Sequence, residues 1–232
     1  MAAALCAKAV GGSKVLGIHM PEEETFSASS TEDANSVAKS RKIRLKKIDL
    51  TEIVRAVTKT VSVKSADHNR VAFGNIKARL RSMVLYYFAN LENGIVVGTG
   101  DKSEIMLGYF TKYGDGACDI FPLADFYKTT LRQLAKYLDL PKRVYSKPSS
   151  PELWPRQTAE AELGLSYDKI DPILWGLERW MSDMDIAGET GLPLELVSRI
   201  RARWVASEHK RRSPVVLKSG FRTAGSDMRL PL

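Results

Sequence analysis

The 232-residue sequence predicts an α/β fold, a parallel sheet flanked by helices. Three observations carry this. Short apolar runs alternate with amphipathic stretches. One of those runs, Gly94-Ile-Val-Val-Gly98, is apolar throughout, which suits a strand covered on both faces. The order strand, helix, strand, helix, helix, strand, then helices suits parallel pairing through crossovers.

The elements follow in order. Val-Leu-Gly-Ile-His-Met-Pro at 15–21 is an apolar run stopped by proline, a buried strand. The stretch 31–40 carries helix-start signals, and 42–50 has the partial alternation of a second strand. Residues 75–92 are rich in Ala, Leu, Arg and Met, a long helix, and 94–98 is the third strand. Segments 125–138, 168–187 and 193–208 have helical spacing of apolar residues, while 141–158, with four prolines, is a loop. In such a sheet, ligands sit beyond the carboxyl ends of the strands, where Met20, Thr99 and Gly100 fall.

With 44% hydrophobic and 27% charged residues the chain can bury a sizeable core. No apolar run approaches the ~18 residues needed to span a bilayer, and Met1–Val10 lacks a basic leader. Two cysteines, Cys6 and Cys118, with three scattered histidines, make neither a disulfide framework nor a zinc site. A reducing, cytoplasmic setting is expected. Residues 201–232 hold eight basic side chains and two acidic ones, six of the eight surplus positive charges. The run His209-Lys210-Arg211-Arg212 therefore favours an anionic partner or, equally, forms a solvated helix end.

Four motifs bear chemistry or imitate it. Gly98-Thr-Gly-Asp-Lys-Ser-Glu104 follows a strand and opens a helix, an arrangement that can meet an anion; Thr99 could bond a nucleotide and Glu104 hold Mg²⁺. The same residues also fit a capping box with no ligand at all. Lys112-Tyr-Gly-Asp-Gly116 is a glycine-bearing turn whose flanking Lys112 and Asp119 could recognise a polar ligand, or a plain helix cap. In Asn75-Ile-Lys-Ala-Arg-Leu-Arg81, Lys77 and Arg81 lie a turn apart with Arg79 on another face, and a solvated basic face is the ordinary explanation. Gly11-Gly12-Ser13-Lys14 imitates a phosphate loop but stands between a helix and a strand in the wrong order, and Cys118 has no histidine beside it to make it a nucleophile.

Taken together, Gly74-Asn-Ile-Lys-Ala-Arg-Leu-Arg81, Gly98–Glu104, Gly108-Tyr-Phe-Thr-Lys-Tyr-Gly-Asp-Gly116, Pro122-Leu123, Lys147-Pro-Ser-Ser-Pro-Glu-Leu153, Glu162-Leu-Gly-Leu-Ser-Tyr-Asp168 and Glu208-His-Lys-Arg211 closely resemble the ammonia-dependent NAD synthetases. The resemblance runs from about Ala3 to Pro214, so a domain at 1–214 and a basic C-terminal tail at 215–232 are expected. It implies an adenine-nucleotide α-hydrolase-like (Rossmann-like) sheet, a homodimer, and a carbon–nitrogen ligase in which ATP adenylates deamido-NAD, pyrophosphate leaves and ammonia attacks. It also implies that Arg79, Lys112, Asp119, His209 and Lys210 contact deamido-NAD. Met20, Thr99, Lys128 and Ser150 would contact ATP, and Glu104 would ligate Mg²⁺. No protein side chain is assigned as a catalytic nucleophile.

The sequence departs from that family in two places. The family's first strand and its Ser-Gly-Gly-x-Asp-Ser pyrophosphate loop are missing from the 232 residues, so weak ATP binding and impaired activity are expected. Arg156 and Ala161 stand where similar proteins carry glycine, in a loop expected to order near the substrate. Three other readings stay open: a non-catalytic dimer that retains the dinucleotide pocket, a GMP-forming ligase of the same loop class, and a basic nucleic-acid binder. The last lacks any aromatic-interleaved basic stretch, so neither nucleic acid nor membrane is an expected partner.

Overall fold

The computed structural model describes residues 1–62, 69–224 and 227–228. In chain order its elements are α1 (Ala2–Val10), β1 (Leu16–His19), α2 (Ala28–Arg41), β2 (Arg44–Lys47), α3 (Thr51–Thr60), α4 (Arg70–Leu91), α5 (Lys102–Met106), α6 (Lys128–Tyr137), α7 (Lys142–Ser146), α8 (Ala159–Leu163), α9 (Tyr167–Glu178), α10 (Asp183–Thr190), α11 (Leu194–Ala206) and α12 (Glu208–Arg211). None is long and apolar enough to cross a membrane, among the described residues.

The sheet is where sequence and structure diverge. β1 and β2 pair in parallel, Leu16 opposite Arg44 through His19 opposite Lys47, with α2 as the crossover. Ser27 caps α2 through the Ser30 N–H, and Lys42, in the left-handed region at φ 54°, ends it. The third strand expected at 94–98 is reduced to a single parallel bridge, Val97 to Ile120. Val96 is buried but Ile95 is 61% exposed, so this run is not covered on both faces. A strand forms only against a ladder partner, and among the described residues none pairs with the free edge of β1.

Helices supply most of the core. Leu107 of the turn after α5 joins Tyr167, Ile170, Ile173, Leu174 and Leu177 of α9, Ile186 of α10, and Val197 and Ile200 of α11 in one buried cluster. The expected helix at 168–187 is broken here. α9 stops at Arg179, Trp180 takes φ 58°, and Ser182 caps α10 through the Asp185 N–H. A smaller cluster of Leu50, Val54 and Leu80 packs α3 on α4, with Met20 against it. The segment 141–158 is mainly loop, apart from α7. Of the basic tail, Val215, Val216 and Leu217 are exposed, and Arg229 lies outside the described residues.

Candidate functional site

α4 is built to hold loops. Its motif residues point three ways: Asn75 accepts from Thr111 Oγ1 (2.6 Å), Lys77 reaches the loop after β1, and Arg81 donates to the carbonyls of Pro151 (2.9 Å) and Glu152 (2.8 Å). Ser82 donates to the Gly114 carbonyl. Gly74 leaves room for Trp154 and Leu153, which a Cβ would meet at 3.0–3.1 Å. The solvated basic face expected for Lys77 and Arg81 is therefore wrong. The Lys77 side chain is 1% exposed, with its Nζ 2.8 Å from Glu22 and 2.7 Å from Glu24. The helix is enclosed by loops on this side, so these cations are spent inside the protein. Only Arg79 stays exposed.

One cluster gathers around α5. Asp101 and Glu104 form a capping box: Glu104 N–H to Asp101 Oδ1 (2.9 Å) and Asp101 N–H to Glu104 Oε2 (3.2 Å). The ligand-free alternative for this motif is thus realised, and the Glu104 N–H is not free for an anion. Lys128, at the start of α6, places Nζ 2.6 Å from Asp101 Oδ2 and 2.7 Å from Glu104 Oε1. α6 has no cap of its own. Asp171 accepts the Thr129 N–H (2.8 Å) and the Ser103 hydroxyl (2.6 Å), while Ser103 Oγ accepts the Lys128 N–H (2.9 Å). That borrowed cap fixes Lys128. Burial, and then the Glu104 charge, push the Asp101 carboxyl up to about 6, against the opposing pull of Lys128. Thr99 is exposed at the entrance to this motif.

A second cluster links the predicted dinucleotide residues. Arg79 donates to the Lys112 carbonyl (3.3 Å), Lys112 Nζ donates to the His209 carbonyl (2.7 Å), and Lys210 Nζ donates to the carbonyls of Gly108 (2.8 Å) and Phe110 (2.7 Å). Burial lowers the Lys210 pKa. Gly108 has φ 61°, and a Cβ there would sit 2.3 Å from that of Ser207, so only glycine admits this approach. Four of the five residues thus form one chain of contacts. The fifth, Asp119, accepts the Val96 N–H (2.6 Å) and the Tyr86 hydroxyl (3.3 Å), and so belongs to the bridge at 94–98. Ser150 accepts the Glu152 N–H (3.1 Å) in the loop that Arg81 holds.

Among the described residues no group of three His, Cys, Asp or Glu side chains is placed to hold a metal. Asp101 and Glu104 nevertheless share one ammonium, which leaves a formal charge of about −1 made of hard oxygens. That donor chemistry fits Mg²⁺ shared with phosphates. A cavity of about 570 Å³ between α6, α9 and α10, lined by Tyr127, Asp171 and Trp175 among others, contains none of the ten predicted site residues. Neither does one of about 510 Å³ beside Glu23, Asp49 and Arg55.

The family model for NAD synthase matches residues 1–214. The chain belongs to the NAD synthase family. An NH₃-dependent NAD⁺ synthetase of Hyperthermus butylicus is 43% identical over 211 residues, 90% of this chain and 75% of that protein. The enzyme of the same name from Methanocaldococcus jannaschii is 42% identical over 210 residues, 90% of this chain and 81% of the relative. Among solved structures, an NMN synthetase of Francisella tularensis superposes with a TM-score of 0.79 at 33% identity, covering 93% of this chain and 83% of the other. An NH₃-dependent NAD synthetase of Campylobacter jejuni, in complex with nitrate, gives 0.74 at 30%, with the same coverage. The adenine-nucleotide α-hydrolase-like reading of the fold therefore stands, and this NAD synthase family member is a ligase by descent.

Sequence reasoning misses Asp171 and Glu22 as parts of the NAD synthase framework, and it reads Asp101 as the capping partner of Glu104 and Lys77 as a surface cation. Asp171 sits within a helix 68 residues from the serine it accepts from, which no local pattern reports.

Proposed function

We propose that this chain binds deamido-NAD and ATP and amidates the former with ammonia, giving NAD, as a homodimer. The observation that carries the reading is the convergence of Arg79, Lys112, His209 and Lys210 at one place, and of Glu104 and Lys128 at the next, on the two ends of α5 and its following turn. The nicotinate carboxylate attacks the α-phosphorus of ATP and pyrophosphate leaves. Ammonia then attacks the acyl carbon, AMP leaves, and the surplus proton passes to solvent. Lys128 neutralises phosphate charge and Arg79 faces the dinucleotide. Positioning and charge, rather than a protein nucleophile, carry such a reaction. Glu104 and Asp101, with the substrate phosphates, would hold Mg²⁺, which withdraws charge from the phosphoryl group.

The 232 residues include no Ser-Gly-Gly-x-Asp-Ser segment, so this polypeptide by itself is proposed to hold ATP weakly and turn over slowly. The second reading is a non-catalytic dimer that keeps dinucleotide binding. Separate calorimetric titrations decide. Deamido-NAD should bind to the chain as given. ATP should bind only weakly until a strand-and-loop segment is fused before Met1, and NAD formation should then rise. Equal turnover with and without that segment would refute the impairment, and no deamido-NAD binding by either protein would refute both readings. NMN formation is followed in the same assays, because an NMN synthetase is among the structural neighbours.

A further inference from the structure

The basic segment at the end of the domain does something other than await an anion. Arg203, Ser207, Lys210 and Arg211 together donate to the backbone carbonyls of residues 105 to 108 and 110. That stretch is the C-terminal end of α5 and the turn through Gly108, where the last carbonyls of a helix lack the usual in-helix donors. Ile105 accepts the Gly108 N–H (3.1 Å), and the basic segment supplies side-chain donors to the carbonyls along this stretch. Arg211 contributes most. Its Nη1 meets the Ile105 carbonyl (3.1 Å), the Met106 carbonyl (2.8 Å) and Ser207 Oγ (2.8 Å). Its Nη2 meets the Trp204 carbonyl (2.6 Å) and Glu208 Oε2 (2.8 Å), and Nε meets the same Glu208 oxygen at 3.1 Å.

We infer that Arg211 is a positioning residue of the dinucleotide subsite, because its guanidinium fastens the end of α5 to the segment that carries His209 and Lys210. This rests on the reading of those two residues as dinucleotide contacts. The argument is one of donor count and geometry. A guanidinium presents a planar fork of five N–H donors, and here each nitrogen has acceptors within 3.1 Å. Lysine has three donors on a point charge and cannot span these acceptors. The cation also stands where two helices, α5 and α11, end on carbonyls with partial negative charge. At 15% exposure the Arg211 side chain is spent on the protein, whereas Arg212 beside it is 70% exposed. The lacing is returned from the other side by Lys112, which donates to the His209 carbonyl. Movement at Arg211 therefore shifts His209, Lys210, Lys112 and the Gly108 turn together, while Glu104 at the other end of α5 keeps its own capping box.

The test uses the 232-residue protein, its Arg211→Lys and Arg211→Ala variants, and deamido-NAD as the probe. In Arg211→Lys, amide exchange at 106–112 should quicken about tenfold while exchange in α9 is unchanged, and deamido-NAD affinity should fall about tenfold with little change in Tm. Methylguanidinium in solution should restore affinity to Arg211→Ala. Lysine binding as tightly as arginine would overturn the inference. So would affinity lost only in step with Tm, with no rescue, because that marks a merely structural residue. If the unmodified protein does not bind deamido-NAD, the functional reading itself has failed, which is a different result from unmodified and Arg211→Lys proteins binding alike.

Discussion

Arg156 sits at φ 58°, a backbone conformation that costs an L-residue about 1 kcal/mol and glycine almost nothing. The sequence reading singled it out as a departure from similar proteins, and the geometry supplies the reason a glycine suits the position. Its side chain is exposed, and among the described residues it makes no hydrogen bond or ion pair that would offset the strain. Arg156→Gly should therefore leave unfolding free energy equal or raise it by up to about 1 kcal/mol, read by urea titration. A loss beyond that range would show that the arginine has a role in the loop. His19, at the end of β1, offers a pH handle. Its imidazole bonds Thr31 Oγ1 (3.0 Å), and burial holds its pKa below the ordinary 6.5. The folded state thus prefers the neutral ring. In acid the unfolded chain takes up the proton first, so stability from this group is complete above about pH 6.5 and declines as pH falls through the lower folded value. Replacing His19 by Gln should flatten the stability profile below pH 6.5, while an unchanged slope would assign the acid sensitivity elsewhere.

At the scale of an element, α4 shows why a motif can be legible and its purpose hidden. The run 74–81 stood out as sequence, yet helical spacing alone made Lys77 and Arg81 a basic surface. What buries them is the loop after β1 and the loop at 150–154, and neither has a local signal. The helices themselves were readable because apolar spacing is a property of one segment. The strand at 94–98 was over-read because its ladder depends on distant partners. The clusters on α5 were half legible: Glu104 came from its motif and Lys128 and Lys210 from resemblance, whereas Asp171 and Arg211 act through contacts across the chain. Lys77 is the sharpest test of this view. With Lys77 1% and Glu22 5% exposed, removing the ammonium strands a buried carboxylate, which costs about 3–5 kcal/mol. Glu24 is half exposed and can return to water. Lys77→Met should be strongly destabilised in urea. Lys77→Met combined with Glu22→Gln should recover a large part of that loss, since no charge is then left buried. A double variant no better than the single one would mean that the pair's worth is not electrostatic.

For the whole molecule, the open question is what covers the far side of α4. Met83, Tyr87 and Leu91 recur every four residues and are 53%, 62% and 64% exposed, a line of apolar side chains down one face of the helix. Arg81 and Ser82, which point away from this row, hold the loops at 151–152 and 114. A second copy of the chain laid against this line would brace the helix that holds the loops at 111–114 and 151–152, and it would remove a row of large apolar groups from water. If the chain pairs as proposed, this row is where a second copy would meet α4. Sedimentation velocity at about 10 µM should give a dimer, a concentration at which a Kd near 1 µM is well exceeded. Tyr87→Glu with Leu91→Glu places two charges in that row and should shift the protein to monomer, lowering Tm only by the lost contribution of dimerisation, so that Tm no longer rises with protein concentration. Deamido-NAD affinity should weaken with dissociation if the brace matters to the site. A monomeric unmodified protein, or a double-Glu variant that still sediments as a dimer, would move the seam off α4.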